Sequence, residues 1–298
     1  MILVDNQWET VNVLDVGGNG IVFRTENIHD GTVCAMKINI IEDLTAMRRE
    51  NVVFDALDDA GNPLGFPTRL FTYSSVAFQP QRFLGLELLG PSLYGIQMNN
   101  EYGTMPMESV LMFGRQAIRR LQTLHALGFV HGDVKPNNFL MGHPEGDEAG
   151  TVHLIDFGAS DPYMTDVNGR PKHIRFLRRT DTQTLGFGSR NGTRGYSISR
   201  RDDLESLIYT MIFQATGHLP WENLADRTDP NVVKQVWRMK QNIPQQQLFA
   251  NLPAQLLAMY RHVRGLRFSQ EPDYDYMYDL LSIALREIQA VDGQVTIG

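Results

Sequence analysis

A single cysteine, Cys34, in 298 residues excludes an internal disulfide. No stretch approaches the roughly 18 uncharged apolar residues that a membrane helix requires, and the apolar run at 204–215 is short and carries Glu205. The N-terminal segment MILVDNQWET has neither a basic leader nor a long apolar centre, so nothing in it points to secretion. A soluble protein in a reducing, intracellular setting is expected, in the cytoplasm, the nucleus or both. Eight scattered histidines and one cysteine form no zinc pattern, and no G-x-S-x-G elbow occurs. Asn191-Gly192-Thr193 matches a glycosylation signal without the compartment that would use it. Internal repeats and low-complexity tracts are absent. The net charge of -7 argues against a general nucleic-acid binder.

What is present is a balanced composition, 42% hydrophobic, in a chain long enough for one large core or two adjoining lobes. Against the acidic average, residues 170–201 hold nine basic residues: Arg170, Lys172, Arg175, Arg178, Arg179, Arg190, Arg194, Arg200 and Arg201. Only Asp181 opposes them there. A solvated loop and a substrate-facing patch both account for such a run.

From Trp8 to Ile40, β-branched residues cluster around turns at 17–20 and 29–31, which predicts successive antiparallel strands. Helical spacing follows over 42–57, with Met47, Phe54 and Leu57 on one stripe and Glu50 in the gap between them. A carboxylate on a buried face needs a cation. Residues 83–89 predict a short buried strand that Gly90-Pro91 ends, at a hinge over about 86–92. The apolar spacing over 108–127, stopped by Gly128, predicts a helix with a glycine cap. Further helices are expected at 202–216, 230–241, 252–264 and 275–290, and an exposed loop at 143–150.

Two segments carry chemistry. The first is His131-Gly132-Asp133-Val134-Lys135-Pro136-Asn137-Asn138; eighteen residues after Asn138 comes Asp156-Phe157-Gly158, behind a predicted strand at 152–155. Asp133 is placed to orient a hydroxyl and accept its proton, and Lys135 to meet a moving phosphoryl charge. Asn138 and Asp156 suit magnesium. His131 reads as a backbone support, since the neighbouring aspartate already serves as base. Near the N-terminus, Asp15-Val16-Gly17-Gly18-Asn19-Gly20-Ile21-Val22 holds Gly17, Gly20 and Val22 at positions of a phosphate-cradling loop, with Asp15 where its first glycine would be. A plain hairpin turn has the same look. Twenty residues past Gly17, Ala35-Met36-Lys37 supplies the cation that Glu50 requires. So held, Lys37 suits the α- and β-phosphates of ATP.

These segments resemble the eukaryotic protein kinases, and within them the casein kinase I group with the tau-tubulin and vaccinia-related kinases. The resemblance spans about residues 8–290. It is carried also by Glu87-Leu88-Leu89-Gly90-Pro91-Ser92-Leu93, by Phe139-Leu140-Met141-Gly142 after Asn138, and by Arg200-Arg201-Asp202-Asp203-Leu204-Glu205-Ser206-Leu207. Leu219-Pro220-Trp221, and Leu266-Arg267-Phe268 with Pro272-Asp273-Tyr274, complete it. It implies an α+β, bilobal kinase fold: a β-rich N-lobe with one key helix over about 1–89 and a mainly helical C-lobe over about 91–298, in a single domain. It implies a serine/threonine kinase using ATP and Mg²⁺, with Leu86 as gatekeeper and the backbone of Glu87 to Leu89 holding adenine. Asp203 would anchor the catalytic loop, and Thr193 would bond to Asp133 and Lys135. The implied partner is a protein substrate, acidic or already phosphorylated, met by a monomer.

Three departures from the family pattern matter. Asp15 brings an anion toward the triphosphate, Gly132 replaces an arginine that pairs with a phosphorylated activation loop, and the chain is short between Tyr196 and Arg200. Activity without activation-loop phosphorylation is expected. Two other readings use the same residues: a kinase-fold scaffold without catalysis, and a small-molecule phosphotransferase that shares H-G-D and the asparagine five residues on. Lys135, Gly158 and Gly192-Thr193 speak against the latter.

Overall fold

A computed structural model describes residues 3–4, 6–17, 20–39, 45–75, 81–166, 171–177, 185–222, 224 and 229–295. Gly18 and Asn19 of the glycine loop, the predicted helix start at 42–44, and Arg170, Arg178, Arg179 and Asp181 of the basic run lie outside the described residues. The chain forms two compact units, Met1–Pro91 with Leu140–Ala159, and Ser92–Phe139 with Ser160–Gly298.

The first unit holds an antiparallel six-stranded sheet of β1 (Leu3–Val4), β2 (Trp8–Gly17), β3 (Gly20–Asn27), β4 (Val33–Asn39), β5 (Arg69–Ser75) and β6 (Gln81–Glu87). The strand order is β1-β2-β3-β4-β6-β5. Period-two alternation in β4 sorts its side chains: Cys34, Met36 and Ile38 are buried with Val4, Trp8 and Phe83, while Ala35 and Lys37 point to the other face. Trp8 packs against Phe71 with the rings tilted by 31° and centroids 4.7 Å apart. Gly20 sits at φ 144, and a Cβ there would lie 2.2 Å from the Ile38 carbonyl oxygen, so only glycine lets β3 start so close to the end of β4. Helix α1 (Thr45–Asp59) buries Met47, Glu50, Val53, Phe54 and Leu57, the spacing of one helical stripe.

Residues 140–159, past the expected hinge, group with the first unit. Backbone bonds draw them there. The Gly90 N–H donates to Met141 O (2.9 Å), Met141 N–H to Pro91 O (3.1 Å) and Leu154 N–H to Gly65 O (2.9 Å). Phe157 adds a fully buried ring set edge-on to Phe54 at 5.4 Å, a burial that contributes about 2–3 kcal/mol. Short strands at Phe139–Met141 and Val152–Leu154 pair with each other.

The second unit is mainly helical: α2 (Leu93–Met98), α3 (Met107–Ala126), α4 (Arg190–Thr193), α5 (Arg200–Thr216), α6 (Pro230–Asn242), α7 (Gln245–Leu248), α8 (Ala254–Gly265) and α9 (Tyr274–Val295). Helix α5 is buried on every side from Asp202 to Gln214, as a helix at the centre of a bundle must be. Both α3 and α8 pack against it. Helix α3 ends at the predicted place, Gly128 taking φ 92 while its N–H bonds His125 O. Among the described residues, no helix is long and apolar enough to cross a membrane.

Candidate active site

Inside the first unit, register places the nucleotide-binding candidates on one face of the sheet. Lys37 pairs with Val22 on β3 and with Leu84 on β6, and Ala35 pairs with Leu86. Directly paired residues project to the same side, so Val22, Ala35, Lys37 and Leu86 share the face opposite the Trp8–Met36 core. Gly17 pairs with Gly20 at the β2–β3 turn. The Glu87 N–H is taken by Thr68 O at 3.0 Å, and Leu89 follows the end of β6. Asp15 pairs with Val22, and its exposed carboxylate accepts from Val16 N–H at 2.9 Å.

Lys37 Nζ lies 2.8 Å from Glu50 Oε2 and 2.8 Å from Asp156 Oδ1. Glu50 is 2% exposed on the apolar stripe of α1, so its charge has no water to turn to. Burial disfavours the Lys37 ammonium, but Glu50 and Asp156 outweigh that and raise its pKa. Lys37 is therefore a permanent cation. Asp156 takes φ 63, a left-handed conformation that is costly outside glycine. The buried ring of Phe157 and the bond to Lys37 hold it there.

Inside the second unit, residues 133–138 fold on themselves. Lys135 Nζ reaches Asp133 Oδ2 at 2.5 Å. Asn138 Nδ2 donates to Asp133 O (2.8 Å) and Oδ2 (3.3 Å), so these bonds engage the amide nitrogen and not its oxygen. Pro136 opens the 3-10 turn Pro136–Asn138, a first position that suits its fixed φ and missing N–H. Buried His131 braces the loop by accepting from Asp133 N–H through Nδ1 (3.2 Å). Asp133, Lys135 and Asn138 thus meet in one cluster, and Lys37, Glu50 and Asp156 in another.

The loop hangs from Asp203 on α5. Its Oδ2 accepts from His131 N–H (2.7 Å) and its Oδ1 from Gly132 N–H (3.0 Å), while His125 Nε2 lies 2.9 Å away. Burial works against the Asp203 charge, yet the His125 bond and the Gly132 amide prevail and lower its pKa. Burial lowers the pKa of His125, leaving it neutral, with Nδ1 2.7 Å from Tyr274 OH. Tyr274 thereby fixes the tautomer that donates to Asp203. Gly132 takes φ 83, so an arginine at this position would be strained as well as absent. Nothing in the sequence pointed to His125; the available signal was a histidine on the apolar stripe of α3, level with Leu121 and Leu124.

Two expectations are corrected. Thr193 is fully buried and bonds Gly188 O (3.4 Å) and Lys240 Nζ (3.2 Å) rather than Asp133 and Lys135. Among the described members of the basic run, three arginines are tied to other elements rather than exposed. Arg190 bonds Glu205 and Gln241, Arg200 lies over the Tyr163 ring and donates to Ser269 O, and Arg201 donates to Leu266 O. Arginine's planar fork of donors suits such multiple acceptors, and those three act as ties between elements. Lys172, Arg175 and Arg194 are the exposed members among the described residues.

Comparison with known proteins shows the family. A family profile described as "Protein kinase domain" matches residues 8–259. The chain is 31% identical over 212 residues to "Casein kinase I homolog 1" of Schizosaccharomyces pombe, covering 71% of this chain and 47% of that protein. It is 28% identical over 273 residues to a "Probable casein kinase I homolog" of Encephalitozoon cuniculi, covering 91% of this chain and 86% of that one. The chain thus spans about half the length of the fission-yeast relative.

Proposed function

The chain belongs to the protein kinase family, and from that premise we propose that it transfers the γ-phosphate of ATP to serine or threonine hydroxyls of proteins, as a casein kinase I-like enzyme. The observation that carries the reading is Lys37 held at 2.8 Å by both Glu50 and Asp156. An ammonium so fixed is a preorganised partner for phosphate oxygens and needs no rearrangement to meet them.

The remaining roles follow from donor chemistry. Asp133 is the proposed acceptor of the substrate hydroxyl proton, and Lys135, 2.5 Å from it, is proposed to face the transferred charge. Leu86 and the backbone of Glu87 and Leu89 are proposed to meet adenine, and Gly17 and Gly20 to leave room for the triphosphate. Asp156 and Asn138 are the proposed magnesium ligands. Both offer hard oxygen atoms: a carboxylate set by its left-handed backbone, and the oxygen of an amide whose nitrogen is bonded to Asp133. When bound, the metal neutralises phosphate charge during transfer.

Transfer of labelled phosphate from ATP to casein and to the protein itself tests the reading. Wild type should incorporate label, and Asp133→Ala should do so about 10²- to 10⁴-fold more slowly. A folded wild type that labels neither acceptor would leave the scaffold reading in its place. An acidic peptide preference is also proposed, supported by exposed Lys172, Arg175 and Arg194, the last stacked on Trp237 at 4.2 Å. On a peptide array that preference should fade between low and about 0.15 M salt, as the Debye length shortens to about 8 Å. Indifference to acidic residues at low salt would refute it.

A further inference from the structure

Lys240 is a fully buried lysine that none of the roles above uses. Its Nζ donates to Leu185 O at 2.7 Å, Gly188 O at 2.6 Å and Thr193 Oγ1 at 3.2 Å. Those three acceptors match the three protons of an ammonium. The rings of Trp221 and Tyr209 flank it with centroids 5.1 and 5.4 Å away, which suits a cation. Burial draws its pKa down to about 7 against the opposing pull of Glu205. A charge placed there works against stability, whereas methionine would fill the same volume without that penalty.

The acceptors explain the lysine. All three belong to one stretch, 185–193, and Lys240 joins its beginning to its end. The rest of that face of α6 holds the same stretch: Trp237, three residues before, lies under Arg194 at 4.2 Å, and Gln241, one residue after, accepts from Arg190 at 3.0 Å. Residues 237, 240 and 241 share one side of a helix. Beneath the stretch, Asp202 of α5 accepts from Ser189 Oγ (2.8 Å) and Asn191 Nδ2 (2.9 Å).

We propose that Lys240 is a positioning residue that sets the conformation of the 185–193 loop as the platform for the peptide acceptor, with α6 as its support. The acceptor role rests on the kinase reading; the loop-fixing role does not. A neutral side chain at 240 would leave the Leu185 and Gly188 carbonyls without their donor. The loop would then sample other conformations while the nucleotide half of the machinery stayed intact.

The test compares the 298-residue wild type, Lys240→Met and Lys240→Arg. Hydrogen exchange without nucleotide should accelerate about tenfold or more at amides 186–196 in Lys240→Met, with the strands of the first unit unchanged. Steady-state kinetics should show the KM for an acidic peptide raised about tenfold and the KM for ATP within about twofold of wild type. Lys240→Arg, which keeps charge and donors, should recover most of the peptide KM. Should Lys240→Met fail to fold, Lys240→Gln takes its place. Unchanged exchange at 186–196, or acceleration spread evenly over all helices, overturns the proposal, as does a parallel rise in both KM values. A wild type that transfers no phosphate sinks the acceptor role together with the kinase reading, and the exchange comparison then decides the loop-fixing role separately.

Discussion

Asp156→Asn is expected to lower magnesium-dependent turnover by about a thousandfold or more, the scale of losing a preorganised charge at the reacting phosphate. The fold should survive, because an amide at 156 can still hydrogen-bond and Phe157 remains buried behind it. Glu50→Gln separates the two partners of Lys37. It removes one ion pair and leaves the contact with Asp156 at 2.8 Å, so turnover should fall only about 10- to 100-fold. Single-turnover rates at saturating ATP and magnesium distinguish the two, and near-normal rates in both variants would contradict the roles given to Lys37 and Asp156.

The second large effect is on stability. Asp203→Ala would strand three buried donors at once, the amides of His131 and Gly132 and the Nε2–H of His125. Breaking a buried charged network of this kind costs about 3–5 kcal/mol, or roughly 6–15 °C in Tm for a chain of this size. Turnover should fall as well, since the 133–138 cluster hangs from those amides. The pH dependence has a definite sign. The folded pKa of Asp203 lies below its ordinary 3.8, so its contribution is fully present above that value and is lost as pH falls through the folded pKa. The Tm gap between wild type and Asp203→Ala should therefore be wide at pH 7 and should shrink progressively as pH falls below about 4. An equal gap at pH 3 and pH 7 would show that the loop does not depend on an ionised Asp203.

Glu50 shows how far pattern alone reaches. A carboxylate between Met47 and Leu57 on a buried stripe demanded a cation, and an apolar strand ending in Lys37 was there to provide it; both can be read from period and charge. The same logic applied to α6 would have exposed Lys240, a lysine in line with Val233 and Val236 on the helix's inner side. Two of its three acceptors, however, are backbone carbonyls, which every residue carries and no sequence advertises. His125 went unseen for a related reason: its value lies in the orientation of one ring nitrogen, set by Tyr274 from 149 positions away.

Residue order was enough to settle the family, the β-rich and helical halves, and the identity of the chemical groups, because those depend on periodicity, turn chemistry and spacing within a few residues. Folding in three dimensions assigned segment 140–159 to the first unit, turned three arginines of the basic run into internal ties, and gave Thr193 to Lys240. Those outcomes rest on hydrogen bonds and buried charges between residues far apart along the chain, where a shift of one ångström changes the partner and leaves the sequence looking the same.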